Sequence, residues 1–266
     1  MPIRSGMLGL LSRKKVLLGT GIHVRDPIFS EMLGEQYDFL WIDMEHTWLD
    51  KGHVLDHIIA CRAAGAASVV RIPWNDPVLA KPILEMGPDA IVFPQICNLK
   101  EARHAIEACL YPPCGKRGWG AIRARDYGWL SAQTYIKEEK ERTFIIIQVE
   151  NIECLEELDK IAELDGLGAI CVGPMDMSAS INKLTQCNDP EVVAMYDKMG
   201  EIMKRHDIPF MVSMGYNEEE IMAWHDRGVR IFHISGELQF IEIESKRQLS
   251  RIHAILPESK RKGAEQ

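Results

Sequence analysis

Eight short apolar runs recur along the 266-residue chain, and after each comes a stretch with apolar residues at helical spacing. That alternation of period-two and period-3.6 patterning constrains the fold more than any other feature of the sequence. The runs are Val16–Gly21, Phe39–Asp43, Ser68–Ile72, Ala90–Pro94, Phe144–Val149, Ala169–Val172, Pro209–Ser213 and Ile231–Ile234. The stretches between and after them predict helices over Pro27–Leu33, Val54–Ala63, Val78–Glu85, Leu99–Ala108, Ile152–Ala162, Pro190–Arg205, Glu218–Asp226 and Leu238–Ala254. Asp26-Pro27 and Asp76-Pro77 have the cap-then-proline form of a helix start.

Strands that alternate with helices build a parallel sheet. These runs are apolar almost throughout, as strands buried on both faces are. Eight units in about 250 residues predict a (β/α)8 TIM barrel of the α/β class. The alternative is an open Rossmann sheet, but Gly19-Thr20-Gly21-Ile22-His23-Val24 lacks the third glycine of a dinucleotide fingerprint. One domain over residues 1–266 is expected, with 257–266 a polar, frayed tail. The segment from Cys97 to Thr143 exceeds one crossover helix, and its Tyr111–Gly120 portion, rich in proline and glycine, reads as a functional loop. The Lys137–Arg142 charge run reads as a solvated helix face.

Charge and cysteine content narrow the partners. A hydrophobic fraction of 46% and a charged fraction of 26% are those of a globular protein. The net charge of −8 argues against nucleic acid or an anionic membrane as partner. No segment approaches the ~20 apolar residues of a membrane span, and the apolar run Met7–Leu11 is a poor signal peptide. Seven cysteines, none in a CxxC pair, suggest buried thiols in a reducing compartment. The expectation is a soluble cytoplasmic protein.

In a TIM barrel the site lies at the C-terminal strand ends. There the sequence places Asp43-Met44-Glu45-His46, Arg71, Gln95, Gln148-Val149-Glu150 and Gly173-Pro174-Met175-Asp176. Glu150 and Asp176 end neighbouring strands, and two carboxylates so placed repel unless a cation or a proton intervenes. Oxygen donors without cysteine favour Mg²⁺ or Mn²⁺, and two carboxylates leave positions open for water and substrate. The alternative is that Asp176 caps a helix and Glu150 pairs with Arg71. His46 is either an oriented acid–base group or a hydrogen-bonded structural residue. Arg71 either meets an anionic ligand or pairs with Glu45 or Asp43. His53 and His57 lack the HExxH glutamate and read as solvated helix residues. No lysine ends a predicted strand, which leaves a Schiff-base mechanism without a nucleophile. The loops Met214–Glu218 and Gly236-Glu237 are acidic and would oppose a phosphate.

Five stretches carry a family resemblance: Tyr37–His46, Val70–Pro77, Tyr111–Gly120, Gln148–Glu150 and Gly173–Ser178. In them the chain resembles the metal-dependent 2-oxo-acid aldolases of the HpcH/HpaI family, within the phosphoenolpyruvate/pyruvate barrel superfamily. The resemblance implies that Glu150 and Asp176 hold a divalent metal, with Co²⁺ a third candidate beside Mg²⁺ and Mn²⁺. It further implies that Arg71 contacts the 2-oxo oxygen and that His46 belongs to the acid–base apparatus, oriented by Asp43. Gln148, Gly173 and Pro174 would line the pyruvate site. The implied reaction cleaves or forms the C3–C4 bond of a 4-hydroxy-2-oxo acid, giving pyruvate and an aldehyde through a metal-bound pyruvate enolate. The implied assembly is a homohexamer with an exchanged C-terminal helix, in which Glu85 contributes across a subunit interface where an Asp is usual. Two segments depart from the pattern: Arg123–Trp129, unusually charged and aromatic, and Thr47-Trp48. Both are expected to border the aldehyde side of the pocket. Oxaloacetate decarboxylation and carbon–carbon bond formation of the macrophomate synthase type use the same enolate. A non-catalytic oligomeric binding protein is the alternative from another class.

Overall fold

Strands β1 (Leu17–Ile22), β2 (Phe39–Asp43), β3 (Ala67–Arg71), β4 (Ala90–Ile96), β5 (Phe144–Val149), β6 (Leu167–Val172), β7 (Phe210–Met214) and β8 (Val229–Gly236) pair in sequence order. All pairs are parallel, and β8 closes on β1 to complete a barrel. The computed structural model describes residues 6–138, 142–256 and 259. The open Rossmann sheet is thereby excluded. β2 and β5 coincide with the sequence prediction, and the other strands differ from it by a few residues at their ends. β8 is the most extended: Val229 is buried below it, and Gly236 pairs with Gly21 above it.

The helices are α1 (Met7–Arg13), α2 (Ile28–Gly34), α3 (Lys51–Ala64), α4 (Pro77–Met86), α5 (Leu99–Cys109), α6 (Ala132–Lys137), α7 (Ile152–Glu156), α8 (Leu158–Ala162), α9 (Pro174–Ala179), α10 (Pro190–His206), α11 (Glu218–Asp226) and α12 (Glu237–Ile255). The predicted Ile152–Ala162 helix is broken at Glu157, whose carboxylate accepts the Leu99 N–H at 2.6 Å. The prediction lacks α1, α6 and α9. The Met7–Leu11 run forms most of α1, and its Met7 packs into the barrel interior. Among the described residues no helix is long and apolar enough to cross a membrane.

Alternation along each strand sorts the core into two layers. One set of side chains fills the barrel, including Phe39, Trp41, Val69, Val92, Ile146 and Met211. The other, including Ile42, Val70, Ile91, Ile147 and Val172, packs between barrel and helices. Gly19 is required by this packing, because a Cβ there would lie 2.3 Å from the Phe39 ring.

The expectation for His57 is overturned. It is fully buried, its Nε2–H donates to the Val24 carbonyl at 2.9 Å, and its Nδ1 meets the Ser30 hydroxyl at 2.8 Å. His53 instead serves the start of α3, in a reciprocal cap with Asp50. Four cysteines are buried (Cys61, Cys109, Cys154 and Cys171), whereas Cys114 is exposed. Residues 139–141 of the Lys137–Arg142 charge run lie outside the described residues; at its margin Arg142 pairs with Glu138 at 2.6 Å. The tail 257–266 also lies outside them, apart from Ser259.

Candidate active site

Arg71 and Asp43 are register partners on β3 and β2, at the C-terminal mouth of the barrel. Both are buried. Arg71 Nε and Nη2 donate to the two Asp43 oxygens at 2.9 and 2.6 Å, a bidentate pair. Burial alone would raise the Asp43 carboxyl, but the guanidinium holds it below the usual carboxylate value. Arg71 also lies over the Trp41 ring at 5.4 Å. Its remaining nitrogen, Nη1, is 2.9 Å from Glu45 Oε2 and 3.5 Å from Gln148 Oε1. The ion pairs with Asp43 and Glu45 therefore both exist, and Nη1 is the corner of the guanidinium turned toward β5.

Gln148 connects this cation to the acidic half of the site. Its Nε2 donates to Glu150 Oε1 at 2.6 Å. A register shift in the β4–β5 ladder, between Phe93 and Ile96, frees the Gln95 N–H, which donates to Glu150 Oε2 at 3.0 Å. Gln95 takes a positive φ of 56° to do so. Glu150 does not pair with Arg71 directly. Burial, with Asp176 and Glu45 nearby, pushes its carboxyl up to about 7 despite the Gln95 bond. Gly173 is the close neighbour: a Cβ there would lie 2.9 Å from Glu150 Oε1. Pro174 opens α9 and, with Met175, lines a cleft shared with Ser213 and Met214.

Asp176 is exposed in the first turn of α9. It does not cap that helix, since the N-cap is Gly173 and no side chain caps it. Among the described residues its carboxylate has neither a hydrogen bond nor an ion pair. Glu45 is raised by burial, with Asp43 and Asp176 opposing the relief from Arg71 and His46. Three carboxylates thus crowd one side of the mouth, and two of them hold their protons more tightly than usual. Oxygen donors of this kind suit a hard cation rather than a soft one. Each Glu150 oxygen keeps a lone pair beyond its one hydrogen bond. Among the described residues no three His, Cys, Asp or Glu side chains are grouped so that they could hold a metal ion between them.

His46 departs from its expected orientation. Asp43 accepts the His46 backbone N–H at 3.5 Å, but the imidazole itself lies 3.7 Å from Glu45 Oε2 and is 63% exposed. Asp43 is instead committed to Arg71 and the loop backbone: Oδ1 accepts from Arg71 Nε and the Glu45 and His46 amides, and Oδ2 accepts from Arg71 Nη2. Thr47 and Trp48 follow at the mouth, with Trp48 exposed. The Arg123–Trp129 segment is elsewhere within this chain. Arg123 donates to the Met86 carbonyl, and Ala124 packs on Gly87, at the end of α4 remote from the mouth. Glu85 is at that same end, where Oε1 meets Arg117 at 3.3 Å. Neither is brought to the mouth of its own barrel.

Three further residues complete the mouth on the β1–β8 side and are absent from the sequence candidates. His233 is buried in β8, stacked on Trp41 with centroids 4.8 Å apart, and bonded through Nδ1 to Ser213 at 2.7 Å. Burial, with Arg71 and His23 beside it, lowers it to about 3, so it is neutral. Glu237, read from sequence only as loop acidity, is buried and accepts from His23 and Val24. The available signal was position: His23 lies two residues past the Val16–Gly21 run and directly follows the observed β1, as Asp43 and Arg71 end the observed β2 and β3.

Comparison with known proteins adds lineage to this geometry. Residues 25–231 match the family model described as HpcH/HpaI aldolase/citrate lyase. The 4-hydroxy-2-oxo-heptane-1,7-dioate aldolase of Shigella sonnei is 32% identical over 182 residues, 68% of this chain and 70% of that protein. The hydroxypyruvate/pyruvate aldolase of Roseobacter denitrificans is 31% identical over 185 residues, 69% of this chain and 72% of that one. The crystal structure of an HpcH/HpaI aldolase from Desulfitobacterium hafniense superposes with a TM-score of 0.88, covering 93% of this chain and 96% of that one. At 22% identity that likeness concerns the fold.

Proposed function

The chain belongs to the HpcH/HpaI aldolase/citrate lyase family and is a carbon–carbon lyase, and on that premise we propose that it cleaves or forms the C3–C4 bond of a 4-hydroxy-2-oxo acid, with pyruvate and an aldehyde as the other side of the reaction. One observation carries this reading. Gln148 accepts from Arg71 and donates to Glu150, so a fixed cation and a raised carboxylate face one small region from opposite sides.

Glu150 and Asp176 would hold a divalent cation, Mg²⁺ or Mn²⁺ (Co²⁺ third), which when bound supplies a Lewis acid for charge developing on the 2-oxo oxygen. Arg71 binds that same oxygen through Nη1, and Asp43 fixes the guanidinium so that no reorganisation is needed. Gly173 and Pro174 line the 2-oxo acid beside Gln148, and the missing side chain of Gly173 leaves the Glu150 carboxylate its room. His46, near the outer rim with Glu45, takes the 4-hydroxyl proton as the C3–C4 bond breaks. The electron pair of that bond forms the enolate, and C4 leaves as the aldehyde. A hexameric assembly would bring Glu85 and the Arg123–Trp129 segment, remote from their own mouth, to a neighbour's.

The test is pyruvate release from a panel of 4-hydroxy-2-oxo acids, followed by coupled reduction of pyruvate. The expected result is metal-dependent release with equimolar aldehyde, abolished by chelator. Arg71→Lys keeps the charge but loses the bidentate geometry, and should cost ~10²–10³ in kcat. Release from oxaloacetate alone would make the enzyme a decarboxylase, and release from neither substrate class would overturn the proposal.

A further inference from the structure

The function proposed above gives a proton to one imidazole, His46, in a reaction that moves two: one on the 4-hydroxyl and one on C3. The structure offers a second imidazole. Trp41 faces the barrel interior and pairs in register with Gly21, while Ile42, paired with Ile22, faces the helices. The next inward position on β2 is Asp43, paired with Arg71 on β3. The corresponding position on β1, one residue past the last ladder pair, is His23. Alternation thus sets His23, Asp43 and Arg71 side by side on three neighbouring strands, facing the axis at the mouth.

His23 is held there by a built niche. Glu237, the first residue of α12, accepts the His23 and Val24 backbone N–H groups and meets His23 Nδ1 at 2.9 Å. That bond fixes both the ring and its tautomer: Nδ1 carries a proton toward the carboxylate, and Nε2 keeps its lone pair. Among the described residues Nε2 has no hydrogen-bond partner, and 29% of the side chain is accessible. Two glycines make the space, since a Cβ on Gly21 or Gly236 would lie 2.5 or 2.4 Å from His23 Cε1. His46 has no comparable support.

Resting on the function proposed above, we propose that His23 is a catalytic residue that carries the C3 proton of the bound 2-oxo acid, with Glu237 as its positioning residue. In enolate formation from pyruvate, Nε2 takes a methyl proton. The C–H pair becomes the C2–C3 double bond, and the carbonyl π pair moves onto the 2-oxo oxygen beside Arg71. In cleavage the ring enters as the imidazolium, protonated from solvent; it gives that proton to C3 of the enolate and ends neutral, while the 4-hydroxyl proton leaves His46 for solvent. His46 retains the 4-hydroxyl proton.

The charged and titratable groups around His23 are Glu237 on α12, Asp43 on β2, Arg71 on β3 and His233 on β8. The Glu237 bond is the largest influence and raises His23 above an ordinary histidine, over the opposing effects of burial and Arg71. Proton removal needs the neutral ring, so exchange of the pyruvate methyl should rise with pH through the His23 ionisation.

The experiment follows deuterium exchange into the pyruvate methyl between pH 5 and 9, with full-length protein and Mg²⁺, beside an NMR titration of His23 Cε1–H. The exchange limb should coincide with the His23 titration. Glu237→Gln should move both to lower pH. His23→Asn keeps a donor for Glu237 but removes Nε2, and should slow exchange ~10²–10³-fold with melting temperature and pyruvate binding retained. His46→Gln should retain exchange while losing cleavage of the 4-hydroxy acid. An exchange rate in His23→Asn equal to wild type, or a limb that ignores Glu237→Gln, overturns the assignment. If His23→Asn does not fold, the wild-type coincidence and the Glu237→Gln shift decide alone. Absence of exchange in the wild type removes the enolate reading, and this inference with it.

Discussion

At the residue scale, the site depends on close approach to Glu150. Its two oxygens accept from Gln148 and Gln95, and Gly173 lies against it where a side chain would clash. Gly173→Ala places a methyl 2.9 Å from Oε1 and must rotate the carboxylate. The expected outcome is a 10–100-fold loss of divalent-metal affinity, read by Mn²⁺ titration, as for other displaced ligand supports. The sequence located Asp43, Arg71, Gln148 and Glu150 because each ends an apolar run, and a polar residue there faces the mouth. It failed at His57, because helical spacing cannot reveal that Ser30 and the Val24 carbonyl wait on the facing surface. It also missed Glu237, whose role depends on β8 closing beside β1, a contact between the two ends of the chain.

At the element scale, irregularities in the strands aim the functional groups. The β4 distortion at Gln95 frees an N–H for Glu150, and a register shift between β1 and β8 sets Gly236 beside Gly21 and brings Glu237 to His23. Neither is legible from alternation, which predicts ideal strands. The strands themselves were legible, because burial on both faces demands continuous apolar runs. The short α9 was not, because six residues carry too little periodicity. Gly19 shows how tightly the barrel is filled. Gly19→Ala should cost about 1–3 kcal/mol through overpacking against Phe39, read by chemical denaturation. Residual activity per folded molecule should stay near wild type, because the substitution lies in the barrel wall below the mouth.

At the scale of the whole molecule, buried histidines tie stability to pH. His233 is lowered to about 3, chiefly by burial, whereas the unfolded chain binds a proton near 6.5. Its contribution is therefore complete above about pH 6.5 and is lost as pH falls toward 3. His57, lowered by burial, acts with the same sign. Glu150 acts oppositely: its raised value makes a contribution present below about 4.5 and lost as pH rises through about 7. To isolate the His233 part, denaturation of wild type and His233→Gln is compared at pH 7 and pH 5 with chelator present. The wild-type advantage should shrink by on the order of 2 kcal/mol at the lower pH. An unchanged difference would show that His233 is not held neutral in the fold.

The function proposed above joins two halves of the mouth: the Asp43–Arg71 pair from β2 and β3, and the Glu150–Asp176 pair from the ends of β5 and β6. The most direct test of that union is exchange of the pyruvate methyl protons for deuterium, measured with Mg²⁺, after chelation, and in Glu150→Gln. Exchange that requires the metal and is lost in the variant is the predicted result. Exchange that survives chelation, or persists undiminished in Glu150→Gln, would contradict the account.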